Sequence, residues 1–370
     1  MSSTREILIS LNSEALLPRA SICRLALEVE RWAGGLREAP ANHLAVELGL
    51  PAAHIQRALG CLPRAKSRAA ELEAEARVLG AEIVTAFDPE YPRALTDLPL
   101  PPPVLHVRGK MPILPGIAIV GSRRVDAYGA EASSFFARDL ADRGLTIVSG
   151  FAVGADAAAH RGALAAGGPT VAVLGCGLEI DYPAGHRTLG NEIAACGAVI
   201  SEFPCSMRPQ SWHFPVRNRI IAALAYGTLV VQATPRSGSL VSARLAMELG
   251  RDVYALPGRI FDERSIGPNG LIRDGALLVQ HPQDIVESLP IAVQETLQPA
   301  ASSTPGATHG LPGGIPGLLL GFLVPGQPVG AEELAQRSQQ AVERVQGALV
   351  ELELGGWIRR FPGGAYGRRA

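Results

Sequence analysis

The sequence predicts an α/β fold: a doubly wound, mainly parallel sheet, preceded by a small helical domain and followed by a winged helix. Short, almost wholly apolar β-rich runs alternate with helical stretches between residues 104 and 290. Such strands are typical of a parallel sheet covered by helices on both faces. Apolar residues recur at helical spacing before this region, and helices followed by a glycine-turn hairpin come after it. We therefore expect a helical domain at 1–80, an extended Rossmann-like domain at 81–290, a linker at 291–315 and a winged helix at 316–370.

The N-terminal domain is predicted from apolar spacing to be a compact helical unit of the SAM or helix–hairpin–helix kind. Ile22, Leu25 and Val29 fall at helical spacing, and residues 48–51 read Leu-Gly-Leu-Pro, typical of the joint between two helices. The proline-rich stretch at 87–109 disfavours regular helix. We expect that stretch to be an extended connector on the surface.

The central region contains six predicted strands separated by helices. The strands are 117–120, 145–148, 170–174, 198–200, 228–231 and 253–256. The helices pass through 135–140, 155–165, 189–195, 218–225 and 240–249. In a doubly wound sheet, ligands bind where the strands end at their carboxyl termini. The residues that follow each strand are therefore the first place to look for a site.

The C-terminal domain is predicted from helical spacing followed by a hairpin. Val342, Val345, Leu349 and Leu352 lie on one helix face, and the glycines near residue 364 indicate the turn of the hairpin. The residues around 300–306 are small, polar and structure-breaking, which is typical of a linker.

Composition excludes several classes of protein. The segment at 1–10 lacks the basic run and apolar stretch of a signal peptide, and the longest nearly apolar run, 220–231, is too short to cross a membrane. The five cysteines are scattered, with no CxxC pair, so we expect neither a disulfide framework nor a metal site. We expect a cytoplasmic protein. Because the net charge is −1, any contact with nucleic acid must come from a local basic patch.

Glycines and hydroxyls follow several of the predicted strands. Gly121, Ser122 and Arg123 follow the first strand, Gly150 and Gly154 follow the second, and the run Ser237-Gly238-Ser239 opens the helix after the fifth. Glycine allows close backbone approach, and the N–H groups at a helix start attract anions. These turns predict a surface suited to phosphate.

Arginines are concentrated in the second half of the central region. Residues 208–273 hold nine arginines against four acids, a local balance of +5 in a chain whose cations include only two lysines. Phe214, Arg217, Asn218 and Arg219 stand at the predicted start of an apolar helix, where one arginine could reach a phosphate while the other braces the loop. Together with the glycine turns, this distribution favours a groove for a polyanion.

Neighbouring side chains allow two interpretations each. Trp212, His213 and Phe214 could stack bases, although core packing is an equal alternative for Phe214. His160 could act as a general base, but we expect it to pack or to orient the loop, with Asp156 bracing the nearby helix start.

Cofactor and catalytic signatures are weak or absent in the sequence. Gly175-x-Gly177 lacks the third glycine of a dinucleotide fingerprint, no GK[ST] occurs, and residues 111–290 contain no lysine. No catalytic triad or carboxylate pair can be argued from spacing. We therefore expect no cofactor and no catalysis.

These motifs, in their order along the chain, closely resemble those of the DprA/Smf family of bacterial DNA-processing proteins. The likeness covers residues 85–365 well and the helical start loosely. The matching segments are 88–92, 103–105, 119–123, 149–160, 172–178, 181–183, 201–202, 214–219, 237–240 and 256–258.

The resemblance implies that the extended Rossmann domain grips single-stranded DNA, dimerises, and loads the RecA recombinase during natural transformation and DNA repair. Single-strand-binding protein is a further candidate partner. Ser122, Arg123 and the turns at Gly150 and 237–239 would meet phosphates, with Arg217 to Arg219 near the groove. The sequence departs from the family at Gln232, where relatives usually have an acid, at His186, where many have asparagine, and in lacking groove lysines.

Two rival functions stay open from the sequence. A Rossmann-like nucleotide phosphoribohydrolase would need a catalytic glutamate where this chain has Ser242. A winged-helix regulator of duplex DNA would use a recognition helix that here carries Glu343, Arg344, Glu351 and Glu353, a net negative face that favours a protein-binding role.

Overall fold

The computed structural model describes residues 3–14, 17–29, 41–113, 115–298, 314–324, 327–354, 357–361 and 364–368. Part of the predicted linker, including 300–306, and the glycines at 355, 356 and 363 lie outside these residues. None of the helices in the described ranges combines the length and the apolar composition that crossing a membrane requires.

The described residues of the N-terminal region form five α-helices, as the apolar spacing predicted. They are α1 (Thr4–Asn12), α2 (Arg19–Leu27), α3 (Ala41–Leu48), α4 (Ala52–Cys61) and α5 (Ala65–Val78). Leu48 and Pro51 flank the joint between α3 and α4. Ile22 and Leu25 are fully buried, and the cluster that they join extends to Phe151 and Ala172 of the central region. The helices therefore pack onto the sheet domain through a shared core.

The central region is organised around a nine-stranded sheet. Its strands are β1 (Ala81–Thr85), β2 (Val104–Gly109), β3 (Gly116–Val120), β4 (Thr146–Ser149), β5 (Thr170–Val173), β6 (Ala198–Ser201), β7 (Gly227–Val230), β8 (Asp252–Ala255) and β9 (Leu277–Leu278). The strand order is β1-β2-β6-β5-β4-β3-β7-β8-β9. Strands β3 to β9 pair in parallel, with β3 between β4 and β7. The order reverses at β3, so this is the point where a doubly wound sheet opens a crevice.

The interpretation of 87–109 as a surface connector was wrong for its second half. Residues 104–109 form β2, which pairs antiparallel with both β1 and β6. Val104, Leu105 and Val107 are buried. The prolines end at Pro103, one residue before the strand begins, so they shape its approach and leave its hydrogen-bonding groups intact.

Helices cover both faces of the sheet. They are α6 (Ala127–Asp142), α7 (Ala155–Ala165), α8 (Arg187–Cys196), α9 (His213–Ala223), α10 (Gly238–Glu248), α11 (Ile266–Arg273), α12 (Pro282–Ser288) and α13 (Ile291–Gln294). One buried cluster joins Ile117 and Ile119 of β3 to Phe136 of α6, and another joins Ala118 and Val120 to α9 and α10. Alternate residues of β3 thus face two cores, which explains why this strand is apolar throughout.

The C-terminal region has the helices and small sheet of a winged helix. The helices are α14 (Gly314–Phe322), α15 (Ala331–Ser338) and α16 (Val342–Leu354), and the strands are β10 (Val329–Gly330), β11 (Ile358–Arg360) and β12 (Ala365–Arg368). The three strands pair in the order β10-β12-β11. Val345, Leu349 and Leu352 are buried against Leu319 and Leu334, as their spacing predicted.

Candidate functional site

Turns from separate parts of the chain meet at the carboxyl end of β3. They enclose a pocket of about 270 Å³. Its walls come from the ends of β3 and β4, from α9 and from the start of α10. The lining residues are Val120, Gly121, Arg123, Ala152, Asp156, Phe214, Arg217, Asn218, Ile221, Ser237, Gly238, Ser239 and Ser242. Most residues chosen from the sequence as phosphate contacts are therefore neighbours in space.

The turn after β3 is held by backbone contacts on both sides. Ser122 N–H donates to the Gln232 carbonyl at 2.6 Å, and its own carbonyl accepts from Ala155 N–H at 3.2 Å. Gly154 has φ +86°, and a Cβ there would lie 2.4 Å from the Ser122 oxygen. Gly121 likewise leaves no room for a Cβ, which would lie 2.6 Å from that of Ala155. The glycines thus let the β3 turn and the start of α7 touch.

The Ser122 side chain is already used within its own turn. Its hydroxyl oxygen accepts from Arg124 N–H at 3.0 Å. This bond fixes the direction in which Arg123 leaves the turn. A contact of Ser122 with phosphate would have to coexist with this bond.

Arg217 is the internal brace of the pocket. Its side chain is 4% exposed and donates to the carbonyl of Gly150 at 2.6 Å and to that of Val173. Burial lowers its pKa to about 10, so the guanidinium stays charged at neutral pH. A Cβ at Gly150 would collide with this guanidinium. Gly150 therefore serves to admit the arginine between the β4 and β5 ends.

Asp156 shares this interior. Its carboxylate accepts from Ala152 N–H at 3.2 Å, so it braces the start of α7 as expected. Burial raises the pKa of Asp156, and the positive charge of Arg217 opposes that rise. Of the described residues that line the pocket, it supplies the one carboxyl group.

The start of α10 forms another wall. Ser237 caps the helix by accepting from Ser239 N–H, and the hydroxyls of Ser237 and Ser239 lie 2.7 Å apart. Asn218 of α9 donates to the Gly238 carbonyl at 3.2 Å, which ties this turn to α9. Hydroxyls and a helix N-terminus consequently face the same pocket as Arg123.

Arg123 is the exposed cation of the site. Its guanidinium carbon lies 5.0 Å from the centre of the Phe214 ring, a cation–π contact that orients it. Phe214 in turn lies 5.5 Å from the Tyr182 ring. Phe214 is half-buried and lines the pocket, so it serves both packing and the surface.

A larger depression adjoins the pocket and shares Arg123 with it. This depression, which we call the basin, has a volume of about 1430 Å³. Its lining includes Arg124, Arg259, Arg264 and the aromatic residues Tyr128 and Phe261. The other lining residues are Ser122, Asp126, Gln232, Thr234, Pro257, Gly258, Asp262, Glu263, Ser265 and Gln327.

Arg219 does not join the groove, contrary to the prediction. Helix α9 begins at His213, five residues before the predicted start, so Arg217 and Arg219 lie inside the helix and point to the protein interior. Arg219 forms a bidentate ion pair with Glu202, at 2.8 and 2.9 Å. The Glu202 side chain is 1% exposed. The sequence suggested that one of the two could reach a phosphate at a helix start, but neither arginine is free to do so.

The local excess of arginines is also smaller than the sequence count suggests. Arg219, Arg251, Arg264 and Arg273 each pair with a carboxylate, and Arg217 is buried on carbonyl groups. Within the described ranges, the other four, Arg208, Arg236, Arg244 and Arg259, form no ion pair.

The remaining polar candidates are structural. His160 is fully buried and bonds Thr170 at 2.7 Å, as the packing interpretation required. His213 is buried and stacks on Phe203 with ring centres 4.1 Å apart, whereas Trp212 is exposed. His186 precedes α8 and contacts the Phe151 ring. Among the described residues, no cluster of three or more His, Cys, Asp or Glu side chains is arranged to hold a metal ion.

Sequence reasoning missed the aromatic part of the basin. Tyr128 follows a strand by eight residues and Phe261 by six, so neither lies in a turn directly after a strand. The run Ile260-Phe261 between Arg259 and Asp262 is an apolar pair in a polar loop, which is the signal that could have found it.

Comparison with known proteins gives one consistent family. The family model described as DNA recombination-mediator protein A matches residues 82–290, and that of the DprA winged helix domain matches 316–364. Protein Smf of Escherichia coli is 41% identical over 281 residues, 75% of this chain and 74% of its own length. DNA processing protein DprA of Streptococcus pneumoniae is 43% identical over 202 residues, 54% of this chain and 71% of its own.

Solved structures agree with the sequence relatives. DNA processing protein A from Streptococcus pneumoniae superposes with a TM-score of 0.68 at 33% identity, over 78% of this chain and 99% of its own. DNA processing protein A from Helicobacter pylori, described for its single-stranded DNA binding mode, superposes with a TM-score of 0.50 at 32% identity, over 56% and 94%.

Proposed function

This chain belongs to the DprA/Smf family of DNA recombination-mediator proteins, and from that premise we propose that its pocket and basin bind single-stranded DNA without catalysis. The relative from Helicobacter pylori is described by its single-stranded DNA binding. The observation that carries the proposal is the position of Arg123. It is exposed, held by Phe214, and shared by the two adjacent depressions.

The chemistry of the pocket suits a phosphodiester. Arg123 offers a planar fork for phosphate oxygens, and the α10 N-terminus with Ser237 and Ser239 offers hydroxyls and a positive dipole end. Buried Arg217 adds a fixed positive charge behind them. Gly121, Gly150, Gly154 and Asn218 act indirectly, by holding these turns together.

Family membership also supports the proposal of a wider role. We propose that the bound strand is protected and handed to the RecA recombinase, in natural transformation and DNA repair, by a homodimer, with single-strand-binding protein as a further partner. We propose a cytoplasmic location as well, in keeping with five cysteines that are all free.

Arg123→Ala is the direct test of strand binding. Fluorescence anisotropy with labelled oligo-dT should give an affinity about tenfold weaker, equivalent to ~1.4 kcal/mol. Arg138→Ala is the matched control, because Arg138 is exposed on α6 and lines neither depression. Equal affinities for wild type and both variants would refute the proposal.

The enzyme alternative has a specific weakness in the pocket. Ser242 is 2% exposed and lines the pocket where a phosphoribohydrolase would need its glutamate. Asp156, the remaining candidate, is buried against Ala152 N–H. Incubating the purified chain with nucleoside monophosphates should release no free base, and release of base would overturn the non-catalytic assignment.

The regulator alternative places duplex DNA on the winged helix. Glu343, Glu351 and Glu353 are exposed on α16 beside Arg344, so the helix face is acidic and suits a protein partner better than phosphate. Gel shifts should show preference for single-stranded over duplex oligonucleotide. Equal or stronger duplex binding that is lost on removing residues 314–370 would favour the regulator.

A further inference from the structure

Phe261 stands out as a large apolar side chain with no packing role. It is 95% exposed, and its neighbour Ile260 is 78% exposed. Both lie in the loop that leads from β8 to α11, and Phe261 lines the basin. Phenylalanine rings are usually buried in folded proteins. A ring as exposed as that of Phe261 therefore indicates a binding surface.

The loop that carries Phe261 is anchored at both ends. The Asn269 side chain bonds the backbone of Gly258 twice, accepting from its N–H at 3.1 Å and donating to its carbonyl at 3.0 Å. At the other end, the Arg264 carbonyl accepts from Ala233 N–H at 2.7 Å and the Arg264 guanidinium pairs with Asp126 at 3.2 Å. Phe261 is therefore displayed from a fixed loop, which reduces the entropy lost when a ligand stacks on it.

The basin around Phe261 carries a positive excess. Its described lining holds four arginines against three acids, a net charge of +1. Arg264 pairs with both Asp126 and Asp262, at 3.2 and 3.0 Å, so Arg123, Arg124 and Arg259 share the lining with one further acid, Glu263. Tyr128, 39% exposed, adds a second ring to the same basin.

We propose that the basin is a base-stacking platform: a single strand that leaves the small pocket past Arg123 continues across Arg124 and Arg259 and stacks a base on Phe261, with Tyr128 as a second stacking surface. This inference rests on the proposed strand binding and extends it. Arg123 lines both depressions and makes the path continuous. Exposed rings beside arginines are the combination that binds unpaired bases irrespective of sequence.

The test compares strands with and without bases. Phe261→Ala should weaken binding of oligo-dT of about 20 nucleotides roughly tenfold, as expected for loss of one base–aromatic stack. An abasic strand of the same length offers phosphates but no ring, so its affinity should not change. Phe261→Tyr, which keeps a stacking ring, should bind oligo-dT as the wild type does.

Two control variants distinguish the stacking platform from the proposed strand binding on which it rests. Phe87→Ala removes another exposed phenylalanine, 53% accessible and outside both depressions, and should leave both affinities unchanged. Arg123→Ala should weaken the binding of both oligo-dT and the abasic strand. If Arg123→Ala weakens binding but Phe261→Ala matches Phe87→Ala, the platform is refuted and strand binding stands.

Two other results would also overturn the platform. Equal losses on oligo-dT and on the abasic strand would mean that Phe261 acts through loop shape. Unchanged oligo-dT affinity together with a smaller particle mass in light scattering would mean that Ile260 and Phe261 form a contact between copies of the chain.

Discussion

The arginine after β3 differs from the two arginines of α9 in its exposure to solvent. Arg123 is exposed above Phe214, whereas Arg217 is buried on the carbonyls of Gly150 and Val173 and Arg219 is paired with Glu202. The difference lies in what each guanidinium can reach. An arginine with internal acceptors becomes part of the scaffold, and one without them stays available to a ligand.

The largest expected effect is a loss of stability when one of the buried arginines of α9 is removed. Arg219→Ala leaves the Glu202 carboxylate buried without its cation, and breaking such a pair costs ~3–5 kcal/mol. Thermal unfolding should show a clearly lower midpoint. Arg68→Ala is the control, because its pair with Glu71 is exposed and should cost about 1 kcal/mol or less. Equal losses in the two variants would contradict the scaffold role.

A pH effect should follow from the same buried interior. Burial, helped by the positive charge of Arg217, lowers the pKa of His160 to about 3, against about 6.5 when unfolded. His160 must be neutral in the fold, so its contribution is present above about pH 6.5 and declines as the pH falls toward 3. Between pH 6.5 and 5 the loss should be about 2 kcal/mol.

Denaturant unfolding at pH 7 and pH 5 measures this loss. His160→Asn should show a weaker pH dependence than the wild type, by the amount that His160 contributes. Arg123→Ala should keep the wild-type dependence, because Arg123 is not among the charges that act on His160. An unaltered pH dependence in His160→Asn would refute the assignment.

A smaller effect is expected at Gln232, whose carbonyl accepts from Ser122 N–H in the turn that carries Arg123. Its amide donates to Asp126 Oδ1 at 3.0 Å and accepts from Asp126 N–H at 3.3 Å. Gln232→Glu replaces the donor with a second carboxylate, so we expect a loss of ~1–2 kcal/mol at neutral pH. Combining Asp126→Asn with Gln232→Glu should recover part of the lost stability, as measured by thermal unfolding. No recovery would mean that the two side chains are not coupled.

The smallest effect on stability should come from Arg123→Ala, within about 0.5 kcal/mol. Its effect belongs to binding: the slope of log affinity against log salt should fall in magnitude by about 0.7, the value for one phosphate contact of a single strand. Anisotropy titrations over a range of salt measure this slope. If Arg123→Ala lost as much stability as Arg219→Ala, the distinction between an exposed binding arginine and a buried structural arginine would be contradicted.

Much of the fold could be predicted because its signals are local. Six of the strands and most helices of the central sheet follow from apolar runs and helical spacing, and the turns that follow β3, β4 and β7 were located by their glycines and hydroxyls. Strand β2 was missed because its pairing with β6, nearly a hundred residues away, leaves no local signal that outweighs the prolines before it.

The site was predictable in its turns but not in its charges. Sequence identifies arginines without saying which have partners, and the partners of Arg217 and Arg219 are distant in the chain: Gly150, Val173 and Glu202. The start of α9 at His213 was likewise hidden, because Pro215 sits in its first turn, where a proline is tolerated. Phe261 was overlooked because exposure is a property of the folded chain.

Photocrosslinking of oligo-dT to the full chain, followed by peptide mapping, tests the central claim most directly. We predict crosslinks in the peptides that contain Arg123, Phe214, the 237–239 turn and Phe261. Crosslinks confined to the N-terminal helices or to residues 314–368, with these peptides unmodified, would contradict it.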